Sequence, residues 1–371
     1  MKKMLCLFFI VCNIFLVGCF NYNDLDKQLF ATAVVIDTDH CGNPVVYVES
    51  FKPEKTPSGT VGGGQRILFR GSRKTIFETL RDIDLSSSYK LNYTQTRAII
   101  FTENAAQKNM CDFIDIFSRD QEFVLRSYIA ILKGDPEKFI NTKLKEQEYI
   151  GVFINDVIRN IPASSRSVTA TLNDFLNSIY TQQHTSVLTM IELKSDQPEP
   201  KLALNGGAII KDCKLVDILK KQDGLGYNFL VDDINGGSLE VTNPTIPDNY
   251  ITLEILRSKT HTKIYYNNNK NILVKKIINI KTSVAEAENQ FLMDDATVTK
   301  LKQEAEKNIR DSCHNVFEKY KLKKMDIFHI QQCFERKYPR IKIQNPLEQS
   351  SLEVEVNISI EGSSRKTNFE K

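Results

Sequence analysis

The first half of the chain alternates between segments whose apolar residues have strand spacing and segments whose apolar residues have helical spacing. Runs or alternations of apolar residues predict strands at 30–37, 45–51, 65–70, 97–101, 123–132 and 186–193. Apolar residues three or four positions apart predict a helix from Lys74, another from Asn104 and a mostly helical region over 135–182. Breaker residues separate the first two strands, which are therefore predicted to form a hairpin.

The second half shows the same two patterns in longer blocks. Strands are predicted at 202–210, 238–243, 251–266, 271–282 and 351–361. The longest helix is predicted over 295–320, with an apolar stripe formed by Val298, Leu301, Ala305, Ile309, Val316 and Tyr320. A short helix is predicted to follow from Asp326. Because strands and helices come in blocks without regular βαβ units, we predict an α+β fold with mixed or antiparallel sheets and a long amphipathic helix near the C-terminus.

A change of composition at SDQPEPK (195–201) is the predicted domain boundary, since Pro198 and Pro200 disfavour regular structure. The pattern predicts an N-terminal α+β region over 29–196 and a C-terminal α+β domain over 197–371. At about 100–200 residues per domain, the length of the chain suggests two or three domains.

The N-terminus has the pattern of an exported lipoprotein. Lys2 and Lys3 precede the apolar run 4–17, which is shorter than the roughly 20 residues of a membrane-spanning helix. Leu16-Val17-Gly18-Cys19 then places a branched apolar residue three positions before a cysteine and a small residue just before it. This lipobox predicts a signal peptide over 1–18 that is cleaved between Gly18 and Cys19. An uncleaved anchor and a plain secretory signal are the alternatives.

The predicted modification of Cys19 is a diacylglyceryl group on its thiol and a fatty acyl group, such as palmitate, on its amine. More than one acyl chain is needed for stable anchoring in a membrane. Residues 19–28 would then form a lipidated tether between the bilayer and the first predicted strand. No later segment is long and apolar enough to span a bilayer.

Charge and cysteine content narrow the classes of function. The chain carries 49 basic and 46 acidic side chains, so it lacks the basic excess expected of a nucleic-acid-binding protein. Beyond the tether it has five scattered cysteines and no C-x-x-C motif: Cys41, Cys111, Cys213, Cys313 and Cys333. We interpret them as buried thiols rather than a disulfide framework, and one or two disulfide pairs remain the alternative.

Two glycine-rich stretches have no phosphate-binding pattern. Residues 62–64 lack a following Lys-Ser/Thr and lead into a predicted strand, so they do not match a phosphate-binding loop. Gly224-Leu225-Gly226 lies in a turn-rich stretch and is interpreted as a turn. The G-x-S-x-G motif of a nucleophilic serine is absent from the sequence.

His329 and Cys333 have the i, i+4 spacing of two ligands on one helix face, and Cys313 and His314 precede them. A structural zinc site needs three or four converging ligands, whereas the adjacent residues 313 and 314 point in different directions. We therefore predict no metal, with the thiols in a core and the histidine at the surface.

Adjacent or closely spaced acidic residues are interpreted as helix caps and turns. They are Asp82/Asp84, Asp232/Asp233 and Asp294/Asp295. None of them stands out as a general acid or base. The sequence predicts neither a catalytic residue nor a cofactor.

Four stretches together resemble the Ger(x)C family, the C-subunit lipoproteins of spore germinant receptors. The first is the lipobox cysteine followed by Asp24-Leu25 and AVVID (33–37), and the second is the helix, serine-containing link and strand at 75–106. The third is the helix, Arg-Asp pair and arginine-containing strand at 111–134. The fourth consists of two C-terminal stretches, LNGGAIIKDCKLVDIL (204–219) and DIFHIQQCFERKYPR (326–340).

The resemblance implies a non-enzymatic subunit of three α+β domains, two of them within 29–196, on the outer face of the spore's inner membrane. It would act with two integral-membrane receptor subunits in receptor assembly and signalling during the response to nutrients. Whether such a subunit binds a small molecule directly stays open. The alternative function is a membrane-anchored solute-binding lipoprotein of a transporter, which predicts two similar lobes around a cleft.

Arg119, Asp120 and Arg126 match the family's third stretch. Two interpretations of this charged trio remain open. It is either a structural ion-pair network beside a buried strand or a face that docks a partner subunit.

Overall fold

A computed structural model of the protein describes residues 27–55, 61–62, 64–160, 164–180, 184–194, 198–234, 236–246, 248–267, 271–288, 291–292, 294–361 and 368–369. Its strands are β1 Gln28–Thr38, β2 Pro44–Phe51, β3 Glu54–Lys55, β4 Val61–Gly62, β5 Arg66–Ser72, β6 Lys90–Asn92, β7 Ala98–Thr102, β8 Tyr128–Lys133, β9 Thr185–Lys194, β10 Lys201–Lys211, β11 Lys214–Leu219, β12 Ser238–Thr242, β13 Tyr250–Tyr266, β14 Ile272–Ala287, β15 Phe291–Leu292, β16 Ser350–Glu361 and β17 Asn368–Phe369.

The α-helices are α1 Ile76–Leu85, α2 Glu103–Lys108, α3 Cys111–Arg119, α4 Pro136–Asn141, α5 Ile150–Arg159, α6 Leu172–Tyr180, α7 Gly224–Val231, α8 Asp295–Leu322 and α9 Ile330–Lys337. Two 3₁₀ turns cover Lys221–Asp223 and Pro346–Gln349. None of the helices in the described ranges combines the length and the hydropathy that crossing a bilayer requires.

A mixed nine-stranded sheet organises the N-terminal half. Its order is β11-β10-β9-β8-β7-β1-β2-β5, and β6 also pairs with β1. The central strands β1, β7, β8 and β9 are parallel, whereas hairpins add antiparallel strands on both sides. Helices cover both faces of this sheet, with α1, α2, α3 and α6 in one apolar layer and α4 and α5 in the other. The parallel strands are buried on both faces and are accordingly continuous apolar runs.

A second sheet, of order β12-β13-β14-β16, forms the C-terminal half. Residues of β16 alternate between buried and exposed positions, because one face of the sheet packs on helices and the other faces solvent. The long helix α8 presents to that sheet a buried stripe of Leu301, Ala305, Ile309, Cys313, Val316 and Tyr320. The prediction of mixed sheets and a long amphipathic helix in an α+β fold is confirmed.

Most predicted elements are confirmed, and three need correction. The strand expected over 123–132 covers only Tyr128–Lys133, because residues 120–127 form turns. The helix expected from Asn104 is split into α2 and α3, since Asn109 has extended backbone angles. The interpretation of Gly224-Leu225-Gly226 as a turn is wrong, because these residues begin α7.

The predicted boundary at 195–201 falls between β9 and β10, two paired strands of the large sheet. Lys194 at the end of β9 pairs with Lys201 at the start of β10. Three residues of β9, β10 and β11 also belong to the apolar core of the second sheet. They are Val187, Ile209 and Leu219, one from each strand. The backbone hydrogen bonds of the sheet thus continue across the proposed boundary, and the division into three domains stays a prediction.

A buried carboxylate connects the elements of the N-terminal half. Glu49 of β2 is fully buried and accepts hydrogen bonds from the backbone N–H groups of Ile150 at 2.8 Å and Gly151 at 2.9 Å. It also accepts the hydroxyl of Thr32 at 2.5 Å and pairs with Arg66 at 2.7 Å. A negative charge at a helix N-terminus is favoured by the helix dipole and the free N–H groups there.

Replacing Glu49 with Gln should destabilise the fold by about 3–5 kcal/mol, because the change leaves the Arg66 guanidinium buried without its counter-ion. The measurement is urea unfolding followed by circular dichroism. Glu361→Gln is the matched control, since Glu361 pairs with Lys281 at 3.0 Å on the surface and such pairs contribute about 0–1 kcal/mol. Equal losses in the two variants would contradict a central role for Glu49.

Candidate functional site

The predicted cleavage and lipidation residues, Gly18 and Cys19, lie outside the described residues. The described chain starts at Lys27, and β1 follows from Gln28. The predicted tether therefore leads directly into the amino end of β1, which lies near the middle of the large sheet. This end of the sheet is the first candidate site.

Of the predicted trio, Arg119 is the last residue of α3, and Asp120 and Arg126 lie on the connection between α3 and β8. Arg119 pairs with Asp115 one helical turn earlier, at 2.7 Å, and not with Asp120. The Asp120 carboxylate accepts the backbone N–H of Glu122 at 2.9 Å. Arg126 is exposed and has no carboxylate partner within the described part of the chain. The three side chains do not form a mutual ion-pair network.

The connection that carries the trio packs against the amino end of β1. Glu122 accepts the backbone N–H of Tyr93 at 3.2 Å and pairs with Lys90 at 3.5 Å. Phe123 packs on the ring of Tyr93 with centroids 4.9 Å apart. Lys90 lies opposite Gln28 in the pairing of β6 with β1. The structure thus places the connection before β8 near the amino end of β1, which is the end that the predicted tether leads into.

The second candidate site lies where the two sheets meet, around α7. The side-chain amide of Asn228 donates to the carbonyls of Ser165 at 3.0 Å and Ser167 at 2.9 Å. A Cβ at Gly224 would come within 2.2 Å of the Arg166 carbonyl oxygen, and one at Gly226 within 2.3 Å of the Ser312 carbonyl oxygen. The two glycines therefore let α7 pack closely against both halves, which sequence spacing alone did not reveal.

An acidic cleft of about 420 Å³ opens beside α7. Its walls include Asp174 from α6, Asp232 and Asp233 after α7, and His329 before α9. Asp232 ends α7 in the left-handed conformation and accepts the backbone N–H of Thr260 at 2.6 Å, so the cap predicted there is confirmed.

Asp233 is more than a turn residue. Although its side chain keeps exposed surface at the mouth of the cleft, the surrounding walls remove much of its water. This desolvation, with repulsion from Asp174 and Asp232, raises the pKa of Asp233 to about 6. In the same cleft, desolvation lowers the pKa of His329, and the nearby Asp326 opposes that shift.

Lys276 of β14 is a buried cation that the sequence analysis missed. Its ammonium donates to the Leu230 carbonyl at 2.6 Å and to the Thr262 hydroxyl at 2.8 Å. Burial lowers its pKa to about 8, because the charged form loses its hydration. Buried and exposed residues alternate along β14, and position 276 falls on the buried face. This alternation was the sequence signal that could have identified Lys276 as buried. Lys276 thereby connects the last turn of α7 to the second sheet.

The cysteines differ from the expectation of buried thiols. Cys111 and Cys213 form a disulfide with Cα atoms 5.5 Å apart, which is the alternative of one or two pairs, and Cys41 is exposed. The interpretation as buried thiols is therefore wrong for these three. Cys313 is buried as predicted, and burial raises its pKa to about 12. Cys333 is half-buried. A separation of 102 residues in sequence gave no local signal for the disulfide.

The pair His329 and Cys333 does not extend into a larger ligand set. His329 precedes α9 in a left-handed conformation and is half-buried, so the prediction of a surface histidine is only approximate. In the ranges that the structure describes, no three His, Cys, Asp or Glu side chains are grouped as metal ligands.

A second cleft, of about 690 Å³, lies at the carboxyl ends of β1 and β8. Thr102 donates its hydroxyl to Asp37 at 2.5 Å, and Arg70 pairs with Glu137 at 3.5 Å beside Tyr47. Small polar ligands often bind at this edge of a parallel sheet. Among the described residues, other charged side chains of this cleft, such as Asp39 and Asp135, form no ion pair.

Two family models together match most of the chain. The model described as spore germination protein N-terminal domain matches residues 21–193. The model described as spore germination B3/GerAC like, C-terminal, matches residues 205–364. The gap between the two matches falls in the β9–β10 hairpin.

Curated relatives and a solved structure agree with these matches. Spore germination protein GerQC of Bacillus cereus is 25% identical over 280 residues, which cover 75% of each chain. Spore germination protein KC of Bacillus subtilis (strain 168) is 21% identical over 364 residues, 91% of this chain and 88% of the relative. The crystal structure of the GerBC protein shares the fold, with a TM-score of 0.56, 16% identity and coverage of 88% of this chain and 96% of that one.

Asp233→Asn should stabilise the protein at pH 7 by about 1 kcal/mol, a modest gain because the carboxylate is partly solvated. Since folding raises the pKa of Asp233 from 3.8 to about 6, wild-type stability should fall as the pH rises through that window. The gain of the variant should therefore disappear below pH 4. Thermal unfolding from acidic to neutral pH measures this.

Asp248→Asn is the control, because Asp248 is an exposed turn residue whose left-handed backbone suits Asn equally well. A stability gain that is independent of pH in Asp233→Asn would contradict the account of the acidic cleft.

Proposed function

Because this chain belongs to the Ger(x)C family of spore germination proteins, we propose that it is the lipid-anchored C subunit of a nutrient germinant receptor. The family consists of receptor C subunits and is associated with the spore membrane. The observation that carries the proposal is the match of both family models, over 21–193 and 205–364, directly after a lipobox. Its role would be non-enzymatic, in assembly and signalling.

The lipid anchor is supported by the N-terminal pattern. Leu16-Val17-Gly18-Cys19 has the lipobox spacing and follows a short apolar run with two leading lysines. A diacylglyceryl group on the Cys19 thiol and an acyl group on its amine would hold the folded part on the outer face of the spore's inner membrane.

The partners we propose are two integral-membrane receptor subunits. Arg126 supports a docking role over a structural one, since it is exposed and has no carboxylate partner among the described residues. Arg119 at the end of α3 and Asp120 at the start of the same connection lie close to Arg126 in sequence. Because the tether would hold the amino end of β1 close to the bilayer, a membrane-embedded partner subunit would contact this end of the sheet.

The alternative of a solute-binding lipoprotein finds no support in the architecture. Such a protein would have two similar lobes, whereas the two main sheets have nine and four strands and different orders. The family matches likewise favour the receptor subunit.

Cys19→Ala should release the protein from the membrane fraction and abolish its contribution to nutrient-triggered germination, because the acyl chains would have no attachment atom. Immunoblotting of spore membrane and soluble fractions measures retention, and loss of optical density measures germination. Cys41→Ala is the matched control, since Cys41 is an exposed cysteine far from the lipobox. Normal germination in a deletion strain without a paralogous receptor would refute the receptor role.

Arg126→Glu should leave the free energy of unfolding within about 0.5 kcal/mol of the wild type, as for most exposed positions. It should lower co-purification with the membrane subunits about tenfold, which corresponds to about 1.4 kcal/mol. Lys263→Glu is the control, because Lys263 is an exposed cation of the second sheet without a carboxylate partner in the described ranges. A lowered melting temperature with normal co-purification would assign Arg126 to structure instead.

A further inference from the structure

The acidic cleft beside α7 is bounded by segments from both halves of the protein. The first half contributes residues of α6 and the first residues of β9, and the second half contributes the residues that follow α7 and those around His329. Apolar residues line part of the cleft, among them Phe175, Val187, Leu188 and Val231. With a volume of about 420 Å³, the cleft has room for a small organic molecule and offers an apolar surface to a hydrocarbon chain.

Two of the three carboxylates in the cleft form no ion pair within the described part of the chain. Asp232 pairs with Lys259 and also accepts a backbone N–H, so both of its oxygens are engaged. Asp174 accepts the backbone N–H of Thr171 at 3.0 Å and its hydroxyl at 2.6 Å, and both bonds end on Oδ2. For the Asp233 carboxylate, the described residues supply no hydrogen-bond donor and no cation that lowers its pKa. Oxygens of Asp174 and Asp233 therefore remain available to a ligand.

The other charged groups near the cleft do not cancel its negative charge. Its wall contains no lysine or arginine among the described residues. Lys276 is buried nearby with its ammonium on a backbone carbonyl and a hydroxyl, and the Asp326 carboxylate lies near it. Arg126, on the connection that contacts the start of α6, pairs with no carboxylate in the described ranges. Desolvation lowers the pKa of His329, so its imidazole is mostly neutral at pH 7.

A buried hydroxyl in the cleft wall lacks a partner. Ser186 of β9 lines the cleft and is 9% exposed. Its Oγ is buried and has no hydrogen-bond partner in the part of the chain that the structure describes. Buried polar groups without a partner are unfavourable and uncommon in folded proteins, and at a cleft a bound ligand can satisfy them. Because a hydroxyl accepts as well as donates, Ser186 adds an acceptor to the two carboxylates.

We propose that this cleft binds a small molecule with a primary alkylammonium group, whose N–H donors bind Asp174, Asp233 and Ser186. Its hydrocarbon part packs on Val187 and Val231. An ammonium group has three donors and no acceptor, which matches three acceptors in a cleft of negative charge. A metal ion is a poorer match, since the described residues do not converge as a ligand set. The proposal goes beyond the proposed function, because binding here needs neither the anchor nor a partner subunit.

Butylammonium chloride is the probe, because it combines one primary ammonium with a short hydrocarbon chain. Its binding to the full-length lipidated protein in nanodiscs is followed by saturation-transfer difference NMR, with empty nanodiscs as the blank. Ligands this small bind with a Kd of about 1 mM at ordinary ligand efficiencies. Butyltrimethylammonium is the control ligand, since it has the same charge and chain but no N–H donor.

We expect saturable binding of butylammonium that is about tenfold weaker in Asp233→Asn and about fivefold weaker in Ser186→Ala. Asp248→Asn and Ser351→Ala are the matched controls and should bind as the wild type does, because both residues are exposed and lie outside the cleft. Melting temperatures confirm that the variants fold.

Lowering the pH from 7 to 5 should weaken wild-type binding about tenfold, because the Asp233 carboxylate, with a pKa of about 6, becomes protonated. Protonation of His329 acts in the same direction, since it adds positive charge to the cleft. The pH dependence should be smaller in Asp233→Asn.

The absence of saturable binding to the wild type, or undiminished binding in both cleft variants, would overturn the proposal. Equal affinity for butyltrimethylammonium would overturn the hydrogen-bonded ammonium site. If Asp233→Asn lowered co-purification with the membrane subunits while the wild type bound no butylammonium, the cleft would belong to a protein partner and the small-ligand proposal would fail. Because binding is measured without the membrane subunits, its failure leaves the proposed receptor function standing, and that function is refuted only by the germination assay.

Discussion

The N-terminal half depends on the burial of one carboxylate, Glu49. A fully buried charge is tolerated only when hydrogen bonds and a counter-ion replace its hydration. Glu49 receives donors from β1, from β5 and from the first turn of α5, while Arg66 also donates to the Ile140 carbonyl at 2.6 Å. Glu49 and Arg66 therefore fix the pairing of β2 with β1 and with β5. The same two residues fix the positions of α4 and α5 against the sheet.

This arrangement explains why α5 begins where it does. Its N-cap residue, Tyr149, makes no side-chain capping bond, so Glu49 from a distant strand takes over that role. Gly151 is required beside it, because a Cβ there would lie 2.1 Å from the carbonyl oxygen of Thr32. The helix and the sheet thus approach more closely than ordinary side chains allow, and the Glu49 carboxylate is shielded from solvent.

The parts of the fold that depend on local pattern were predictable, and the parts that depend on distant contacts were not. Alternation in β16 and the helical stripe from Leu301 to Tyr320 follow from burying one face of each element, so they are visible in the sequence. The disulfide of Cys111 with Cys213 and the hydrogen bonds of Lys276 join residues far apart in sequence. The loop before β8 shows the limit at short range, because the apolar residues Phe123 and Val124 resemble a strand whereas Phe123 packs on Tyr93 from a turn.

The same reasoning explains how the two halves are coupled through α7. On one side, Asn228 binds the carbonyls of Ser165 and Ser167; on the other, Thr260 donates its hydroxyl to the Phe229 carbonyl and Lys276 binds the Leu230 carbonyl. Three successive residues of one short helix therefore face both sheets. A relative movement of the halves would break several buried hydrogen bonds at once, each costing about 1–3 kcal/mol when a partner is left unpaired.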